Sequence, residues 1–319
     1  MAGSLRERWR SLAMSPERFR QTALASLAGL YVVVVTGAVV RLTGSGLGCD
    51  NWPRCGDTPF PERDFHALVE FGNRVVALVA IVLTVVTALA ARRVPELPRR
   101  VSRLAALVAI GTVVQIPLGG VTVMLDLNPY AVMSHFLLAV AMIGLAVVIG
   151  LEAHAFARGR GGSRFPRSLG WLSVLLVPSA LTLVVTGSFV TAAGPHPGSS
   201  GDEIPRLGNV VDAAHVHAVA NGVFGVCLAI CLLALVWRRR EARTELLLGM
   251  GVLALLGVEM GVGRYQWDNA LPWGVVLLHV ALATAVWTGL VTLVVRLVWA
   301  AGIRRPALAR PAVAATRLP

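Results

Sequence analysis

The sequence predicts an all-α, polytopic membrane protein: eight transmembrane helices in two pseudo-repeated four-helix bundles, with both termini cytoplasmic. Three observations carry this. The 319 residues are 56% hydrophobic and 14% charged, with a mean hydropathy of +0.71, too apolar for soluble domains of that length. Runs such as Leu24 to Val40, Val75 to Ala91 and Leu277 to Val295 reach or approach the roughly 20 apolar residues that cross a hydrocarbon core as a helix. The basic residues, all arginine, cluster in Arg6 to Arg20, Arg92 to Arg103, Arg158 to Arg167, Arg238 to Arg243 and Arg296 to Arg317, and every second loop is nearly free of them. That alternation is the positive-inside pattern.

The same placement decides what the net charge of +12 means. Distributed in this way it is a topology signal, and a nucleic-acid partner is excluded in favour of lipid. The arginine-rich N-terminus carries Glu7 and Glu17 and no small-residue cleavage site, so it reads as a cytoplasmic tail and not as a transit peptide.

Taken in order, the predicted elements are a tail at 1–21, an N-terminal half at 22–154 with helices at 22–42, 66–91, 101–124 and 130–154, and a cytoplasmic linker at 155–167. A C-terminal half at 168–301 follows, with helices at 168–191, 210–237, 244–264 and 272–301, and then a tail at 302–319. The outer loops are 43–65, 125–129, 192–209 and 265–271, the first and third long and rich in Gly and Pro. Thr36-Gly37 with Val40 and Gly44 recurs as Thr186-Gly187 with Val190 and Gly194, each 150 residues later. A second echo pairs Gly119, sixteen residues before His135, with Gly261, eighteen residues before His279. Together they predict a duplicated four-helix unit.

Each of the four inward-running helices carries histidine near its start: His66, His135, His215 with His217, and His279. Ionisable side chains are costly in a span and normally line a cavity or bind something. Neutral imidazoles from separate helices at one depth suit bis-histidine haem ligation. A structural zinc site would want closely spaced Cys and His instead. In the second helix His66, Glu70 and Asn73 share a face within two turns. Two readings of Glu70 stand side by side: an intramembrane functional carboxylate, with Arg74 pairing to it or to a haem propionate, or a plain i,i+4 ion pair. His215 and His217 lie about 200° apart around their helix, so one of them faces a given haem, and the spacing leaves open which. His154 and His196 read as surface histidines, Glu259 and Asp212 as cavity candidates. Cys49 and Cys55 flank a loop short enough to close as an outer disulfide, either structural or redox-active.

These residues resemble a known family. TGAVVRLTGSGLGC from Thr36, WPRC ending at Cys55, VEFGNR from Val69, QIPLGG from Gln115, and VTGSFVTAAGPH from Val185 are similar to haem A synthases over essentially the whole chain. The resemblance implies an oxidoreductase that converts the C8 methyl of haem O to the formyl of haem A for terminal oxidase assembly. One half would hold a haem b cofactor and the other the haem O substrate. It implies His279 with His217 or His215 as ligands of the haem b iron, and His135 on the substrate side. Glu70 matches the family's functional glutamate and Cys49 with Cys55 its outer-loop cysteine pair. Arg41, His66, Asn73 and Arg74 complete the candidate haem-binding set. The implied setting is a bacterial inner membrane, with haem sites toward the outer face and haem O delivered by a haem O synthase. An electron partner is required and unspecified, and homo-oligomerisation is compatible with such a bundle.

Two departures stand out. Many members have Glu-x-x-His-Arg where this chain has Glu70-Phe-Gly-Asn73-Arg74, so the substrate iron falls to His66, to His135 alone, or to Asn73. The second-half outer loop also lacks the cysteine pair that some members have. A methyl group is inert to acid–base chemistry, so the expected route is two successive two-electron oxidations, hydroxymethyl and then aldehyde, with Glu70 handling protons or stabilising charge. The rival classes are a b-type haem electron-transfer subunit and a transporter. Against the transporter, the polar residues cluster at the outer face and the spans lack Gly/Pro breaks at the bilayer centre.

Overall fold

The computed structural model describes residues 13–49, 51–56, 60, 61, 63–158, 165–199 and 204–302. Among them the chain is all-helical apart from one antiparallel bridge, Ser45 with Ser199. The helices are α1 (Pro16–Leu42), α2 (Phe65–Arg93), α3 (Arg99–Met124), α4 (Pro129–Arg158), α5 (Arg167–Val174), α6 (Leu176–Ala193), α7 (Val210–Val236), α8 (Arg243–Asp268) and α9 (Trp273–Ala300). With α5 and α6 counted as one span, eight helices among the described residues are long and apolar enough to cross a membrane, and this is a multi-pass membrane protein. Large apolar side chains such as Val32, Leu78, Val226, Leu233 and Leu247 are exposed on the outer faces, where acyl chains are the only solvent that suits them.

Local chemistry sets the helix ends. Ser15 caps α1 by accepting from the Arg18 N–H, and Pro16 opens the helix with Glu17 in the first turn, a combination suited to an N-terminus. The helix therefore begins at Pro16, and the tail predicted at 1–21 is shorter than expected. Most of that tail, residues 159–164 of the linker, and 303–319 lie outside the described residues. Asp64 caps α2 by accepting from His66 and Ala67, and Asn209 caps α7 by accepting from Val211 and Asp212. The fifth span, expected to be continuous, breaks at Leu175. Pro178 has no N–H to give the Val174 carbonyl, and its ring crowds that group.

The N-terminal bundle packs α1 on α2 and α4, and α3 on α2 and α4, while the C-terminal one packs α9 on α8 and α5, and α7 on α6 and α8. A seam of α1 and α4 against α9, and α4 against α6, joins them. Trp287 Nε1 donates to the Val140 carbonyl at 3.0 Å inside this seam, and Tyr31 Oη donates to the Ala281 carbonyl at 2.7 Å. At the end carrying the long loops, the Gly46 N–H donates to Gly198 O beside the Ser45–Ser199 bridge. At the opposite end the buried carboxylates Glu152 and Glu245 pair with Arg100 and Arg296.

Candidate functional site

Two adjoining cavities open between the helices near the long-loop end. The first, about 280 Å³, includes Gly37, Arg41, Asn73, Gln115 and His135 in a mostly apolar wall. The second, about 190 Å³, includes His196, His217, Asn221, Glu259, Gln266 and His279. Leu42, Phe136, Ser188, Thr191, Val276 and Val280 line both, so each half lends side chains to its neighbour's cavity.

In the second cavity two imidazoles enter from α7 and α9. The His217 ring rests on Gly187, where a Cβ would stand 3.0 Å from Cε1, and its Nδ1 lies 3.1 Å from Thr186 Oγ1. His279 rests on Gly263 with its Nδ1 3.0 Å from Glu259 Oε1. His217 is thus held at Nδ1 by a hydroxyl, while His279 has a carboxylate at ion-pair distance from its Nδ1 without a hydrogen bond, and in both rings Nε2 is left for a ligand. Glu259 Oε2, Asn221 Oδ1 and Gln266 Oε1 are buried without a hydrogen-bond partner among the described residues. His196 Nε2 meets the Leu271 carbonyl at 2.8 Å. It is a cavity residue, not the surface histidine expected. His215 and Asp212 are exposed and line neither cavity.

The first cavity has the same plan with different chemistry. Asn73 stands on α2 beside Gly37, and its Oδ1 accepts from the Thr36 hydroxyl at 2.7 Å. His135 rests on Gly119. Gln115 donates to the His135 carbonyl at 3.1 Å, while His135 Nδ1 and Gln115 Oε1 are buried without partners. Asn73 with His217, Gln115 with Glu259, Gly119 with Gly263 and His135 with His279 are each 144 residues apart. The counterpart of Gly119 is therefore Gly263, sixteen residues before its histidine, and not Gly261, which has nothing within 4 Å of its Cβ position. Arg41 donates from Nη2 to the Thr191 carbonyl at 2.9 Å, and its Nε is buried and unpartnered among the described residues.

The α2 face that carries His66, Glu70 and Asn73 does converge on α1 and the first long loop, but only Asn73 reaches a cavity. His66 Nδ1 meets Ser45 Oγ at 3.0 Å, and Glu70 accepts from the Cys49 N–H at 2.9 Å. Arg74 binds Glu70 and donates to the Pro53 and Arg54 carbonyls. The Cys49–Cys55 disulfide, Cα atoms 4.5 Å apart, is buried against Ala67 and Phe71. Trp52 covers Gly120, and the loop lies so close to α2 that a Cβ on Gly48 would sit 2.4 Å from the His66 carbonyl carbon. In this geometry Glu70 and Arg74 clamp the disulfide loop, and neither makes the expected contact with a cavity. Outside the spans, the Ala67 and His66 N–H groups hold the Asp64 carboxyl below its ordinary range.

A family model described as Cytochrome oxidase assembly protein, COX15-CtaA, matches residues 20–315. The chain belongs to this family. Similar proteins include the Heme A synthase of Symbiobacterium thermophilum, 29% identical over 286 residues, 84% of this chain and 92% of the relative. The Heme A synthase of Alkalihalophilus pseudofirmus is 24% identical over 289 residues, 86% of this chain and 95% of the relative. That of Halalkalibacterium halodurans is 26% identical over 227 residues, 67% and 74% of the two chains.

Within this chain, sequence reasoning missed the pairing of Glu259 with His279 and the presence of Gln115 at the matching place. The signal was available: each lies four residues before the glycine on which the next helix's histidine rests. Pairing Gly119 with Gly261 shifted the register by two and hid it.

Proposed function

We propose that this chain oxidises the C8 methyl of haem O to the formyl group of haem A, with substrate in the first cavity and a haem b cofactor in the second. The observation that carries this reading is His217 and His279 flanking one apolar cavity while His135 faces an adjoining one, in a family whose relatives are named Heme A synthase. The second cavity fits a haem: its two histidines keep Nε2 free, its wall is apolar, and its buried polar atoms await partners. His217 and His279 would hold the haem b iron, and His135 the substrate iron. When bound, haem b supplies one-electron redox chemistry.

The chain's own residues position and insulate. Thr186 orients His217 through Nδ1, and Glu259 places a carboxylate 3.0 Å from Nδ1 of His279. Arg41, with a buried unpartnered Nε, is placed to meet a propionate carboxylate. The shared apolar wall keeps the two sites adjacent and dry. Glu70 acts here as a positioning residue, holding the disulfide loop over the first cavity through the Cys49 N–H and Arg74. In this reading 22–154 is the substrate half and 168–301 the cofactor half of a duplicated unit. The long loops face outward from a bacterial inner membrane with both termini inside, as the arginine distribution directs. A haem O synthase in the same bilayer delivers the substrate.

The test is to express the full chain in a host that makes haem O but no haem A, then extract and weigh the haems. Formyl haem is the expected product. Recovery of b-type haem alone would make the chain an electron-transfer subunit, and recovery of no haem would return it to the carrier class.

A further inference from the structure

The first cavity differs from the second where a second axial ligand would stand. His217 has its counterpart in Asn73, an amide already engaged with the protein and a far weaker iron ligand than imidazole. Its oxygen, the only atom of a neutral amide that binds metal well, accepts the Thr36 hydroxyl at 2.7 Å. Its Nδ2 carries two donor hydrogens and has no protein partner among the described residues, while the residue lines the cavity. The alternative ligand, His66, lies outside the cavity, its Nδ1 turned to Ser45. On the other side of the cavity His135 has no carboxylate behind it, because Gln115 replaces the glutamate and turns its amide to the His135 carbonyl.

Resting on the reading that this half binds haem O, we propose that the substrate iron is held by His135 alone. Its opposite axial side, faced by Asn73, is kept for a small exogenous ligand, and Asn73 Nδ2 donates a hydrogen bond to that ligand. A bis-histidine iron has both axial positions filled and resists small ligands; a mono-histidine iron beside a hydrogen-bond donor accepts them. The weaker axial support also suits a molecule that must leave after reaction, whereas Glu259 behind His279 suits a resident group.

The experiment uses the purified full chain carrying both haems, reduced and exposed to carbon monoxide as the probe. The proposal expects about half of the haem to bind carbon monoxide, with a matching high-spin fraction before exposure. N73H should cut that fraction to under about a tenth by supplying a second imidazole. N73L should keep carbon monoxide binding but raise the C–O stretching frequency through loss of the donor, a readout that does not depend on how well N73H folds. A chain with two haems, both low-spin and neither binding carbon monoxide, overturns the proposal, as does an unchanged C–O stretch in N73L. A chain holding one haem, indifferent to H135A, overturns the proposal by removing the substrate-site reading beneath it, and so marks that failure as distinct.

Discussion

Four residue pairs stand 144 residues apart in the two halves, and two of the four differ in what they can hold. The C-terminal cavity has His217, Glu259 and His279; the N-terminal one has Asn73, Gln115 and His135. One set offers two oriented imidazoles with a carboxylate behind one of them, the other a single imidazole among neutral amides. With a cofactor in the C-terminal cavity and the substrate in the N-terminal one, as proposed, the difference teaches how retention on one side and exchange on the other can be built from similar positions. In the proposed reading, His217 and His279 are backed by Thr186 and Glu259, whose oxygens stand 3.1 and 3.0 Å from their Nδ1 atoms.

Breaking the halves one at a time gives the largest effects. His279→Ala should remove the resident haem, lowering bound haem from about two to about one per chain and abolishing conversion, as read by haem extraction. Next, Glu70→Ala should leave Arg74 half-buried without its counter-charge, a loss of about 3 kcal/mol in a denaturation titration. Arg74→Ala should behave alike, and the double variant should lose less than the sum, because both act through the same loop. The disulfide belongs to the first half, and Cys49→Ser with Cys55→Ser should cost about 2 kcal/mol of stability for so short a loop. That change should alter substrate retention while leaving the resident haem's spectrum in place.

Exchanging features between the halves sharpens the comparison further. Glu259→Gln should make the second site resemble the first: haem affinity falls about tenfold, and the midpoint potential of the resident haem rises as His279 becomes a poorer donor. The smallest effect is expected at the α2 cap. Asp64 stabilises the helix start as a carboxylate, with its proton affinity lowered by two backbone N–H donors. Its contribution is present at neutral pH and is lost as pH falls through the depressed pKa. Asp64→Ala should flatten that acid dependence, visible as faster amide exchange at His66 and Ala67.

The eight spans were legible because apolar runs and arginine clusters depend on composition alone. Element ends depended on finer signals. The Ser15-Pro16-Glu17 start of α1 is written in the sequence but lies in a basic, less apolar stretch that hydropathy passes over. The break before Pro178 is a backbone hydrogen-bonding event inside an uninterrupted apolar run. The histidine set was readable, and the geometry separates cavity-facing His217 from exposed His215, which spacing alone left open. What could not be read was the use made of the α2 face. His66, Glu70 and Asn73 do lie together, but whether a helix face meets a cavity or a loop is decided by where residues 43–56 fold back, a long-range contact with no local signature. Closely set glycines at 257, 261 and 263 likewise concealed which one seats His279 until the rings were in place.

The division of labour between the cavities is tested most directly by haem extraction from chains loaded in a host that makes both haem b and haem O, comparing His135→Ala with His279→Ala. The account predicts that His135→Ala keeps b-type haem and loses haem O, and that His279→Ala loses b-type haem while retaining haem O. Loss of both haems from the same variant, with the other unaffected, would contradict it.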